Sequence, residues 1–229
     1  MQPSEFDYLE RPKQFARDDF WRQVRRTVNG EPVSQAQIEL IVKQVCLGLD
    51  LRTDDGLLDI GCGNGALTAL FKTHVFNILG VDYSTYLIEV AQEYFATSHM
   101  KFMPLSIEKL MTTELQNSFS KGLLYGVSSY LSDELLTELI AWYMRNPKSR
   151  LFIGNIRDIA HANQFYKEKK TEQELSDHTT SIGKWRSPVW YEQLANSLGV
   201  DLIFMKMPPG FYLSDYYFDA VFQGRWKSA

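Results

Sequence analysis

Apolar positions along the chain change their spacing repeatedly, and each change marks an element. From Ser34 to Leu49, Ile38, Ile41, Val42, Val45 and Leu49 recur at three- and four-residue steps, which is one face of a helix. Ser34 with Gln37 three residues later has the form of a capping box at its start. Residues 12–28 show the same period and predict an earlier helix, separated from the next by Gly30 and Pro32. Short apolar runs then trade places with amphipathic stretches. GLLDI (56–60) reads as a strand, followed by a helix from Ala66 with Leu67, Leu70 and Phe71 inward. FNILGVD (76–82) is a strand, followed by a helix from Ser84 with Leu87, Val90, Ala91, Tyr94 and Phe95 in one stripe. A strand at 101–103, a helix at 107–115, a strand at 121–127 and a helix at 132–145 continue the alternation. The last of these carries Leu135, Leu136, Leu139, Ile140 and Tyr143 on one side. After the strand RLFIGNI (150–156) the pattern lapses until Ser187-Pro188, an N-cap followed by proline at the first helical position. DLIFMKM (201–207) and YYFDAVF (216–222) are the final strands, around Pro208-Pro209-Gly210.

Strands that alternate with helices predict βαβ units, hence an α/β, Rossmann-like fold with a mostly parallel sheet covered on both faces. Residues 1–50 read as an N-terminal helical cap, 51–229 as the main domain, and 157–186 as a lid over its site. Composition narrows the partners. The 229 residues are 45% hydrophobic, enough for one sizeable core, and the formal net charge is −4. The longest basic cluster is the short KEKK at 167–170, so no nucleic-acid partner is expected. The N-terminal stretch lacks an apolar h-region and no run approaches 18 apolar residues, which predicts a cytoplasmic protein without a membrane segment. Cys46 and Cys62 lack metal-ligand spacing; two free thiols and no metal site are expected.

The chemistry concentrates in LLDIGCGNGALTALF (57–71). Gly61, Gly63 and Gly65 follow a strand at alternate positions, where the main chain can take conformations closed to other residues and a ligand can approach it. Asp82 lies seventeen positions after Gly65, at the end of the next strand, where a carboxylate can accept from ribose hydroxyls. Two ligands fit. GCGNGA satisfies the dinucleotide fingerprint, which suits a nicotinamide cofactor. Asp59, two residues before Gly61, is poorly placed beside a pyrophosphate and suits a ligand carrying ammonium and sulfonium charges instead.

LLDIGCGNG followed by GVDYS resembles the class I S-adenosylmethionine-dependent methyltransferases, over about residues 55–225. The resemblance implies a seven-stranded sheet with its last strand antiparallel, S-adenosyl-L-methionine as cofactor, and methyl transfer as the activity. It implies that Asp59, Gly61, Cys62, Gly63 and Gly65 hold the amino acid part of the cofactor, that Asp82 holds its ribose, and that Tyr83 flanks its adenine. Ser106 stands where the family has an acid at the adenine edge; the Ile107 backbone serves there, with Ser106 or Glu108 replacing the side-chain contact. FSKGLLYGVSSYL looks like the family's fourth strand, with Ser120 in place of an aspartate, and puts Tyr125 and Gly126 at the transferred methyl group. Trp21 is a candidate to lie over the sulfonium and Arg25 or Arg26 to meet the cofactor carboxylate; the competing readings are a core tryptophan and a solvated arginine face.

For the acceptor, Asp158 directly follows the fifth strand and is the candidate base or orienting group, with His161 and His178 as alternatives. Trp185, Trp190 and Tyr191 either wall a substrate pocket or pack the lid on the sheet. No Asn-Pro-Pro-Tyr sequence follows the fourth strand, which argues against amide and exocyclic-amine acceptors. The expected substrate is therefore a small molecule methylated at oxygen or nitrogen. A nicotinamide-dependent oxidoreductase is the runner-up, and the serines at 106 and 120 motivate a third reading, a non-catalytic cofactor-binding module.

Overall fold

The computed structural model describes residues 8–225; the first seven residues of the expected cap and the last four of the chain lie outside the described residues. A small hairpin, β1 (Thr27–Val28) and β2 (Glu31–Pro32), precedes helix α1 (Gln35–Leu49). Then come β3 (Gly56–Ile60), β4 (Asn77–Asp82), α2 (Thr85–Phe95), β5 (Met100–Pro104), β6 (Lys121–Tyr125), α3 (Asp133–Tyr143), β7 (Arg150–Arg157), α4 (Pro188–Leu198), β8 (Asp201–Lys206) and β9 (Tyr217–Gln223). The seven long strands form one sheet in the order β5-β4-β3-β6-β7-β9-β8. β9 runs antiparallel to both its neighbours, while β3 to β7 pair in parallel.

The stripes read from the sequence explain the layers. Ile38, Ile41, Val45 and Leu49 of α1 pack with Ile88 and Ala91 of α2 on one face of the sheet. Leu136, Leu139, Ile140 and Tyr143 of α3 pack with Tyr191 and Leu194 of α4 on the other. Ser84, Ser132 and Ser187 each accept a hydrogen bond from an amide three residues on, so these three helix starts are capped by side chains. The strand order reverses between β3 and β6, and the crevice beyond their carboxyl ends is where such sheets bind ligands.

Five local expectations are corrected. Residues 12–28 form only a 3-10 turn (Arg11–Gln14) and a helical turn (Phe20–Gln23) before β1, because Arg25 takes a left-handed conformation (φ 56°) that stops any helix there. The segment after Gly65 is a 3-10 turn, Thr68–Phe71, and the helix predicted at 107–115 is two short pieces, Ile107–Leu110 and Leu115–Ser118. The capping box at Ser34 does not form. Gln37 instead reaches the loop before β9, donating to Gly210 O (2.9 Å) and accepting from Tyr212 N (2.9 Å). Tyr94 is exposed, and Ile88 takes its place in the buried stripe of α2.

The N-terminal segment is fastened to the glycine loop by a buried amide pair that carries no local signal in the sequence. Asn64 Nδ2 donates to Phe20 O and to Gln23 Oε1 (both 2.8 Å), and Gln23 Nε2 donates to Ala16 O (2.8 Å). Both side chains are almost wholly buried. Phe20 adds an edge contact to Tyr94 and lies against Phe95, and Arg17 pairs with Glu93. Because Asn64→Ala leaves Gln23 Oε1 and Phe20 O without their donor, it is expected to lower stability by about 1–3 kcal/mol. Urea unfolding measures the loss, and faster tryptic cleavage between Arg17 and Arg26 would report the freed segment.

Candidate active site

Strand β3 ends at Ile60, and the next residues turn back under the end of β4. Gly61 N and Cys62 N both donate to Val81 O (2.8 and 3.0 Å), Gly65 N donates to Cys62 O (3.1 Å), and Ala66 N donates to Asn64 Oδ1 (3.3 Å). Gly61 and Gly63 take φ of 75° and 57°, and a Cβ at either would meet Val127 or Val24 at 2.5 or 2.9 Å. Asp82 closes the loop from the other side: Oδ2 accepts from Gly63 N and Oδ1 from Ser84 N, both at 2.9 Å. Asp82 is 8% exposed: it is a buried tie. Each oxygen still has a lone pair for a ligand hydroxyl.

Asp59 is buried at 3% exposure and accepts from Thr68 Oγ1 at 2.5 Å. Burial pushes its carboxyl up to about 7, against the Thr68 bond, with Asp82 adding repulsion and Arg26 opposing it. Burial also raises Asp82, restrained by the amides of Ser84 and Gly63. The two carboxylates line one end of a cavity of about 570 Å³ over the crevice between β3 and β6.

The structure brings most sequence-identified residues to this cavity. Asp59, Gly61, Cys62, Gly63, Asp82 and Tyr83 form the glycine-loop end, and Ser106 and Ile107 a neighbouring wall. Ser106 caps the turn Ile107–Leu110, accepting from Lys109 N at 3.4 Å. Tyr125, Gly126, Trp21 and Arg26 line the cavity from β6 and from the N-terminal segment, and Trp21 also packs on the core. Arg26 lies over the Tyr125 ring with its Cζ 4.7 Å from the centroid, whereas Arg25 is exposed. His178 and Thr179 of the lid complete the wall.

Other assignments are corrected. Gly65 does not line the cavity; a Cβ there would strike Ala91 and Phe102 at 2.9 Å, so its role is close packing. Cys62 presents its backbone, since its thiol lies in the core. Asp158 and His161 stand outside the cavity wall. Asp158 caps the turn Ile159–His161 by accepting from Ala160 N, and its backbone pairs with Arg186 at the far end of the lid. Trp185 is buried in a small lid core with Ala162 and Leu175, and Tyr191 is in the main core. Ser120 precedes β6 at its amino end, about 17 Å of strand away from the cavity edge.

Two groups of residues escaped sequence reasoning. Tyr8, Val24, Tyr130 and Leu135 also line the cavity. Arg186, 3% exposed, donates to Ser128 O and Leu131 O (both 2.7 Å) and to Asp133 Oδ1 (2.9 Å), while Lys184 meets the other Asp133 oxygen at 2.6 Å. This clamp fixes the loop that carries Tyr130. Its only signal was position, just before the Ser187-Pro188 helix start.

Residues 57–148 match the family described as a methyltransferase domain. Over these residues the chain is similar to the class I S-adenosylmethionine-dependent methyltransferase superfamily. An uncharacterized methyltransferase of Schizosaccharomyces pombe, C70.08c, is 26% identical over 110 residues, which are 48% of this chain and 37% of that protein. The chain thus aligns with little more than a third of the curated relative it matches. Among solved structures, the N-methyltransferase NodS of Bradyrhizobium japonicum WM9 superposes with a TM-score of 0.60 at 19% identity, over 83% of this chain and 98% of that one. A S-adenosylmethionine-dependent methyltransferase of Clostridium acetobutylicum gives 0.64 at 13%, over 90% and 96%. Magnesium protoporphyrin IX methyltransferase of Synechocystis, solved with bound SAM, gives 0.59 at 14%, over 97% and 93%.

S-adenosylmethionine is the superfamily's cofactor, and the donor set here fits it. Two carboxylates at the glycine loop suit a cationic ligand, and the loop amides of Gly61, Cys62, Gly63 and Gly65 are already committed to the protein, which leaves none of them for a pyrophosphate. The nicotinamide reading is thereby set aside.

Two outcomes follow from the buried carboxylates. Asp82→Ala removes the acceptor of Gly63 N and Ser84 N and should lower the stability of the ligand-free protein by about 1–3 kcal/mol, measured by urea unfolding. Asp59 holds its proton to about 7 when folded, against an ordinary value of 3.8. The folded state then binds more protons than the unfolded one between about pH 4 and 7, so stability falls as pH rises through that window and is level above it. Asp59→Asn, compared with the parent protein by urea unfolding across the window, should show a shallower decline.

Proposed function

We propose that the chain methylates a small-molecule acceptor at a hydroxyl or amine, using S-adenosylmethionine. The observation that carries this reading is the half-open cavity, acidic where the glycine loop meets β4 and lined also by Trp21, Tyr8 and the lid residues His178 and Thr179. Its volume, about 570 Å³, lies in the range of small-molecule sites, which favours a compact acceptor. Of the described residues, 8–50 serve as the cap and 157–186 as the lid.

The cofactor supplies an electrophilic methyl group, and the protein's part is to bind, orient and exclude water. Asp82 accepts from the ribose hydroxyls with the lone pairs that Gly63 N and Ser84 N leave open. Asp59 faces the ammonium, and Arg26, carried in by the N-terminal segment, meets the carboxylate. Tyr125 and Gly126 border the place where the acceptor nucleophile approaches. A nucleophile that arrives as O–H or N–H must lose a proton, and His178 is the histidine that lines the cavity. The non-catalytic reading loses support, because Ser120 lies at the amino edge of the sheet and Ser106 has a capping role.

Titration calorimetry should give binding of S-adenosylhomocysteine and none of NAD; the reverse would overturn the proposal. Asp82→Ala should weaken S-adenosylhomocysteine by roughly ten- to a hundredfold, the loss of charge-assisted bonds worth about 1.5–3 kcal/mol. Labelled S-adenosylmethionine incubated with pools of small alcohols, phenols and amines should give methylated product, and the same enzyme should leave RNA and protein pools unlabelled.

A further inference from the structure

Charge is unevenly distributed over the cavity wall. Among the described residues that line it, those with a formal charge are Arg26, Asp59, Asp82 and Glu108, which stand at the glycine loop, over the Tyr125 ring or beside Ile107. The loop after β6, the first turn of α3 and the lid supply a different surface. Tyr130, Leu131 and Leu135 line it with Tyr8 of the N-terminal segment and with His178 and Thr179. Thr179 is already engaged, because its Oγ1 and N both donate to Asp177 Oδ1 (2.6 and 2.8 Å). His178 is thus the polar side chain that this wall offers without such a commitment.

The two tyrosine rings are held in place before any ligand arrives. They meet edge to face, with centroids 4.7 Å apart and planes at 61°. Arg157 Nη2 donates to Tyr130 Oη at 2.8 Å and its Cζ lies 5.2 Å from that ring's centroid, while Arg25 Cζ lies 5.8 Å from the Tyr8 centroid. Neither arginine lines the cavity, so the rings are the surface a ligand meets. Gly183 of the lid packs on the same group: a Cβ there would strike Arg157 Nη1 at 2.6 Å and come within 3.1 Å of Tyr130 Cε1. Lys184 N then donates to Ser129 O at 2.6 Å, which ties the lid to the loop that carries Tyr130. Burial pushes the Tyr8 phenol up, so Tyr8 stays uncharged. Fixed rings beside leucines suit a flat apolar ligand, since aromatic groups gain from edge or offset contact with one another and a preformed wall costs little ordering.

We infer that the methyl acceptor is an uncharged phenol, whose ring packs on Tyr8 and Tyr130 and whose O–H meets His178. This rests on the small-molecule reading above. A carboxylate on the acceptor would exchange its hydration for rings and leucines, and an ammonium would face two rings that already carry guanidinium groups. Proton chemistry favours the same class. A phenol releases its proton at about 10, whereas water, the nearest model for an aliphatic alcohol, holds it to about 16, so a single imidazole on the wall suffices for the phenol. The phenol oxygen forms its bond to the methyl carbon as the carbon–sulfur bond breaks and its electron pair stays on sulfur; the phenol proton passes to a ring nitrogen of His178.

Calorimetry on the S-adenosylhomocysteine complex tests ring and charge separately, with a panel of substituted phenols, the matching cyclohexanols and the matching hydroxybenzoates as probes. Phenols should bind about fivefold tighter than either of the other two sets. Tyr8→Leu removes one ring and keeps an apolar side chain; it should weaken phenol binding by roughly three- to tenfold, with the Kd for S-adenosylhomocysteine changing less than twofold. Tyr8→Phe, which keeps the ring, should recover most of that loss. With labelled S-adenosylmethionine, phenols should be methylated, and His178→Ala should lower their kcat by about a hundredfold while their Kd stays within about threefold. Cyclohexanols or hydroxybenzoates that bind as tightly as phenols overturn the inference, as does a Tyr8→Leu protein with normal phenol affinity or with a parallel loss of S-adenosylhomocysteine affinity. A parent protein that methylates aliphatic alcohols or amines but not phenols overturns the inference while upholding the small-molecule reading. One that binds no S-adenosylhomocysteine overturns that reading itself.

Discussion

The hydrogen bonds that the Asp82 carboxylate accepts from Gly63 N and Ser84 N hold the site together. They join the loop after β3 to the first turn of α2, two segments that would otherwise be free to separate at the sheet's carboxyl edge. The loop amides then find partners on Val81 and Cys62, and the left-handed glycines keep the main chain low enough for a ligand to lie across it. A buried carboxylate with two amide donors is a rigid anchor, and the same lone-pair geometry that ties the loop leaves acceptor sites directed into the cavity.

This anchor has an electrostatic cost that shapes the rest of the cavity. Asp59 and Asp82 are both buried, Asp82 raises the proton affinity of Asp59, and Arg26 is the nearby cation that relieves Asp59. Arg26 reaches the cavity because the N-terminal segment is pinned by Asn64 and Gln23, so an uncharged amide network delivers the compensating charge. The result is a cavity acidic at the glycine loop that also carries a guanidinium over Tyr125. Such a field suits a ligand with ammonium, sulfonium and carboxylate groups.

A second anchor governs the loop after β6 and the end of the lid. Arg186 gathers Ser128 O, Leu131 O and Asp133 into one buried cluster, and the Asp133 carboxylate sits in the first turn of α3, where the helix dipole favours it. The loop after β6 and the end of the lid are thereby locked to each other, which places Tyr130 and His178 on the cavity wall while Asp158, at the lid's start, is spent on capping a turn.

By itself the sequence determined the layers and the glycine-loop wall of the cavity. Period-two runs and three-four stripes located every long strand and helix, since those periods follow from which face meets the core, and the glycine loop, Asp59 and Asp82 were legible because their roles depend on local backbone geometry. Tertiary structure decided whatever rests on contacts distant in the chain. Asn64 meets Phe20 and Gln23 across more than forty residues, Arg186 meets Ser128 and Asp133 across more than fifty, and Asp219 meets Asn155 across sixty-four. None has a periodicity to betray it. The helix expected at 12–28 failed for the same reason: its apolar residues face the cavity and the glycine loop, partners that exist only once the sheet is assembled.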